Sequence, residues 1–156
     1  MTNKTSKNIR ICGFVALAFC LVWAVSLVVN ITSNMFGSFA STHPIDWSKN
    51  AVIKIVVLIC YVVGSVSMIA LSIKAILNIF KGLHENDVFP RRNEKLLIWI
   101  ALADFVRLFG TANFIMLWDD GFAIVPENFI KPFLLLFFAF MYKVAADAVE
   151  ENNLTV

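Results

Sequence analysis

From Ile11 to Ile31 the chain runs for 21 residues without a charged side chain. A helix of about 20 apolar residues is what crossing a bilayer's hydrocarbon core requires. Lipid offers no water to backbone N–H and C=O groups, so a run like this must close its hydrogen bonds within itself, as a helix. Three further stretches have the same character. One runs from Ile53 to Ile73 and continues to Lys81 as an amphipathic extension; the others run from Leu96 to Trp118 and from Phe129 to Val149. The pattern predicts helices over about 11–31, 53–81, 96–118 and 129–149 in one domain spanning residues 1–156. The expected fold class is all-α: an integral membrane bundle of four transmembrane helices.

Composition excludes the soluble alternative. The chain is 60% hydrophobic and 15% charged, with 15 phenylalanines, against about 45–50% and about 25% in soluble domains. One small core cannot hide that much apolar surface from water. Lys4, Lys7 and Arg10 before an apolar run resemble a signal peptide, with a small-residue site at Ser38–Ala40. The run is longer than the usual apolar region of such peptides, which points to a retained span. In the third segment Trp99 and Trp118 are 19 residues apart, about 28 Å along a straight helix, so both indoles could sit in the interfacial belts. Pro132 requires a place in the first turn of the fourth helix.

Lys and Arg set the orientation. With the N-terminus inside, Lys4, Lys7, Arg10, Lys74, Lys81, Arg91, Arg92, Lys95 and Lys143 flank the cytoplasmic side, and only Lys49, Lys54 and Lys131 the outer side. Nine against three is a positive-inside bias. It places both termini in the cytoplasm, in a membrane that borders it. The net charge of +2 and the lack of a continuous basic patch argue against direct nucleic-acid binding.

Asp104 and Arg107 are the chemically distinctive pair, because ionisable groups at membrane depth are rare and costly. They lie about 12 and 16 Å along the helix from Leu96, three residues apart on one face. Two readings stand: a proton or ion relay or ligand contact, and a self-neutralising pair that fixes helix packing. The packing role draws support from the other segments, whose nearest polar candidates are only Tyr61, Ser65, Ser67 and Ser72. Small residues at Gly64 and Ser65, and at Ala16, Cys20 and Ala24, suit close helix contact in lipid.

Cys12, Cys20 and Cys60 lie within apolar runs, and neither His43 nor His84 has a partner at ligand spacing. No metal, cofactor or disulfide framework is expected. Phosphate-binding, nucleophile-elbow and zincin motifs are lacking, so the chain does not read as an enzyme. The inner loop, about Gly82–Lys95, carries more information. Gly82 can end the second helix, and Pro90 holds the preceding chain extended. Phe89, Arg91, Arg92, Asn93 and Lys95 are the candidate contacts to anionic headgroups or to a cytoplasmic partner.

That loop, with Val88-Phe89, Asn93 and Leu96-Leu97, and the tail from Val149 to Val156 (VEENNLTV) resemble the YoaS-like family of four-helix bacterial membrane proteins, a family of unknown function. Pro90-Arg91 departs from the commoner pattern, in which a small polar residue follows the phenylalanine. The resemblance implies four transmembrane helices and, for many members, a neighbouring gene for a helix-turn-helix regulator of the Cro/C1 type. It implies no activity and no catalytic residue. Expected partners are the lipid bilayer, a cytoplasmic protein and further copies of the chain. Two functions compete: a membrane-embedded regulatory or interaction protein, and a small transporter, channel or exporter subunit using Asp104 and Arg107.

Overall fold

The computed structural model describes residues 3–37, 41–85, 87, 89–119 and 121–154. The Ser38–Ala40 site, Val88 and the final Thr155-Val156 lie outside the described residues. The fold is an all-α helical bundle, with no strand among the described residues. Its helices are α1 (Asn3–Phe36), α2 (Ala51–His84), α3 (Arg92–Ala112) and α4 (Glu127–Leu154), with a 3-10 turn at Phe114–Leu117 between the last two. α1, α2 and α4 are long and apolar enough to cross a membrane. α3, with 21 residues, is about 31 Å long and carries Asp104 and Arg107 at its middle.

α1, α2 and α4 overrun the predicted apolar windows at both ends, and α3 overruns its window only at the start. Hydropathy marks only the part of a helix that suits lipid, and nothing in Asn3–Arg10 interrupts the backbone bonding that continues into polar surroundings. Three local expectations fail. Gly82 does not end α2, which continues to His84. Its φ is not positive; its place is set by crowding, because a Cβ there would strike the Asp87 carbonyl and approach Pro90. The third helix stops at Ala112 instead of continuing to Trp118, so the straight 28 Å between the two tryptophans does not apply. Asn113 explains the break: its side-chain amide donates to the Phe109 carbonyl at 3.1 Å and accepts from the Ala123 amide at 2.9 Å. This competition from a short polar side chain turns the backbone out of the helix. Pro132 sits five residues into α4, beyond its first turn, where it removes the bond that a residue there would donate to the Asn128 carbonyl.

Each helix packs antiparallel on its neighbour in sequence. α2 and α3 form the closest pair, followed by α3 with α4 and α1 with α2. The α2–α3 contact rests on two glycines. A Cβ on Gly64 would lie 2.6 Å from the Arg107 amide nitrogen, and one on Gly110 would strike the Tyr61 backbone. Such close backbone approach is how helices adhere in lipid, where no hydrophobic force drives them together. α1 is the loosest member. Its half-buried face includes Ala16, Cys20, Trp23 and Ala24, and Leu27 is its one buried apolar side chain among the described residues. The α4 phenylalanines Phe133, Phe137, Phe138 and Phe140 all point outward.

Candidate functional site: a mid-helix ion pair and a clasp at the basic end

Asp104 is wholly buried, at 0% exposure. Arg107 donates to its Oδ1 from Nε at 2.9 Å and from Nη2 at 2.6 Å. The i, i+3 spacing expected from the sequence thus produces a closed pair. Three helices converge on it. Gly64 of α2 admits the Arg107 backbone, and the Trp23 ring of α1 lies 5.4 Å from the guanidinium carbon, in cation–π range. The Asp104 Oδ2 oxygen has no hydrogen-bond partner among the described residues. This leaves an acceptor in a buried, low-dielectric site, where unmet hydrogen-bonding capacity is expensive.

The antiparallel packing collects most of the basic side chains at one end. There Arg91 pairs with Asp147 at 2.8 Å and with Glu150, both from α4. Arg92 pairs with Glu85 at 2.9 Å, and Lys143 lies 3.6 Å from Glu94. The Glu150 carboxylate, hydrogen-bonded to Arg91, holds that guanidinium above its ordinary value. Phe89 meets the Tyr142 ring edge-on at 5.4 Å between centroids, and the Tyr142 hydroxyl donates to the Pro90 carbonyl at 3.2 Å. Together these contacts clasp the α2–α3 loop to the C-terminal part of α4. Phe89, Arg91 and Arg92 are therefore engaged within the chain, while Lys95 is exposed.

Asn93 corrects the sequence reading. It was expected among the loop's outward contacts but is buried at 1% exposure. Its Oδ1 accepts from Asn78 at 2.8 Å, and its Nδ2 donates to the Ala75 carbonyl at 2.9 Å. It fastens α3 to α2. Asn93→Leu is expected to cost about 1–3 kcal/mol, because it leaves the part-buried Asn78 amide without its acceptor and removes the side-chain bond to the Ala75 carbonyl. Denaturation of the detergent-solubilised chain would measure it, and an unchanged midpoint would contradict it.

Sequence reasoning also missed Lys54. Placed on the exposed outer flank by its charge, it is 1% exposed and donates from Nζ to the Asp46 carbonyl at 2.9 Å. The sequence signal lies in Asn50, whose φ of 52° suits asparagine and folds the preceding turn back over the start of α2. Beside it, the Ser48 hydroxyl and amide hold Asp46 below the usual carboxylate range. No group of three or more His, Cys, Asp or Glu among the described residues could hold a metal ion. Compared with known protein families, curated proteins and solved structures, the chain matches none of them.

Proposed function

We propose that this chain is a regulatory or interaction protein embedded in the cytoplasmic membrane. It crosses four times, with both ends and the basic face inward, and it controls a cytoplasmic partner through its α2–α3 loop and C-terminal helix. The clasp carries this reading. Arg91 holds Asp147 and Glu150 across two separate parts of the chain, so a shift of α4 in the bilayer would open or close the loop. Half-exposed ion pairs of this kind are weak and screened, which suits a contact meant to exchange partners. Kinship with the YoaS-like proteins, proposed from the loop and tail, names the partner class as a helix-turn-helix regulator.

The test uses the full chain in vesicles and, as the proposed partner, a helix-turn-helix regulator of the Cro/C1 type. Opening the clasp with Asp147→Asn/Glu150→Gln should tighten regulator binding by about fivefold, the low end of such couplings, with little change in stability. No binding by the wild type, together with no effect of loop replacement, would refute the reading. A reporter fused after Val156 should read cytoplasmic.

The unpartnered Asp104 Oδ2 favours a second reading, a small transporter or channel subunit. A buried carboxylate with a spare acceptor can take up a proton or contact a cation at mid-membrane. Ion flux through reconstituted vesicles that disappears in Asp104→Asn would support it, and absence of flux in the wild type would remove it.

A further inference from the structure

A groove of about 470 Å³ opens along the α2–α3 seam, lined by residues of those two helices alone. Its floor is low because Gly64, Ser67 and Ala103 are small, and Leu71, Leu102 and Val106 stand as its walls. The two helices run antiparallel along the seam, since Gly64 approaches Arg107 and Gly110 approaches Tyr61, so Val63 and Val106 line one end of the groove and Leu71 and Trp99 the other. About one helical turn beyond Leu71 and Trp99, toward the basic end, α2 carries Lys74 and α3 carries Lys95. Both lysines are exposed, and among the described residues neither forms an ion pair.

Depth fits the same pattern. Between Lys54 and Lys74 the chain carries no charge, and 20 residues of helix rise about 30 Å, the thickness of the hydrocarbon core. Lys74 thus falls at headgroup level, and Trp99, which lines the groove one turn below Lys95, has the amphipathic ring favoured at that boundary. Basic pockets between membrane helices on the cytoplasmic side are suited to anionic headgroups. An apolar trough that opens between two unpaired cations matches a single molecule with an acyl chain and a phosphate.

We infer that the α2–α3 groove is a binding site for an anionic phospholipid. The acyl chain lies over Gly64, Ser67 and Ala103, and Lys74 and Lys95 hold the phosphate. This rests on the bilayer reading above but not on the cytoplasmic partner.

Native mass spectrometry of the full chain in detergent would test it, with phosphatidylglycerol and phosphatidylcholine of matched chains as probes. The wild type should retain phosphatidylglycerol preferentially. Lys74→Gln/Lys95→Gln should weaken that binding about thirty-fold, from the strength of two basic groups at an anionic surface. Ser67→Leu, which fills the trough without touching a charge, should also weaken it while leaving the melting temperature unchanged. Lys81→Gln, away from the groove, should bind as the wild type does. Equal retention of both lipids would overturn the site. So would sensitivity to the lysines without sensitivity to Ser67→Leu, or a lipid-free dimer closed over the groove. A chain that proved soluble and monomeric without detergent would instead remove the bilayer reading itself.

Discussion

Asp104→Leu should destabilise the folded chain by about 3 kcal/mol or more, and adding Arg107→Met should recover most of the loss. The single change leaves the Arg107 guanidinium, only 15% exposed, without its carboxylate at mid-helix depth. Breaking a buried pair by removing one partner costs about 3–5 kcal/mol, whereas replacing both with apolar groups of similar size is often neutral. Trp23 would still face the cation, but cation–π attraction supplies only about 2 kcal/mol when desolvated. A double-mutant cycle on denaturation in mixed micelles measures the coupling. If both single variants melt like the wild type, the pair does not hold the fold together. If the apolar double variant is stable but inactive in the cell, the pair is there for chemistry and not for packing.

Gly110→Leu should be at least as damaging, because it attacks the seam on which the other contacts depend. Even a methyl group at that position would strike the Tyr61 backbone, and one on Gly64 would sit 2.6 and 2.7 Å from the Arg107 nitrogen and Cα. Backbone atoms cannot rotate aside as a side chain can, so the helices must separate. Overpacking typically costs about 1–3 kcal/mol, and the alanine variants should fall in that range, with the leucine variants beyond it. Gly13→Ala is the comparison: there the obstacle is the Phe80 ring, a side chain that can swing away, so the expected loss is smaller. Thermal unfolding followed by fluorescence-detected size exclusion would rank the three positions. Equal melting at Gly13, Gly64 and Gly110 would contradict the seam argument.

The three helices long and apolar enough to cross a membrane were legible because lipid imposes a simple length rule. The Ile11–Ile31 run could be read as a helix from its lack of charge, and Asp104 and Arg107 from their spacing alone. Features decided by tertiary contact were hidden. Gly82 looks like a helix stop in sequence, and only the returning Asp87 carbonyl reveals why a glycine is needed inside the helix. Asn113 is one polar residue among several, and its power to end α3 comes from the Ala123 amide ten residues away. Asn93 reads as a loop residue beside Arg91 and Arg92, yet it turns the other way, toward Ala75 and Asn78. Lys54 could be assigned to a flank by its charge, but the turn that covers it could not be foreseen. In each case the side chain's partner lies across a fold that local patterning does not specify.

The serial packing of these helices bears on how the molecule is made. Because each helix docks on the one synthesised just before it, none has to wait for a distant partner. Native pairing is local in sequence, the condition under which folding is fast and kinetic traps are few. α2 can settle on α1 as it emerges, α3 can then lock to α2 through the glycine seam, and α4 closes the sequence by capturing Arg91. The order of assembly is thus written in the order of translation.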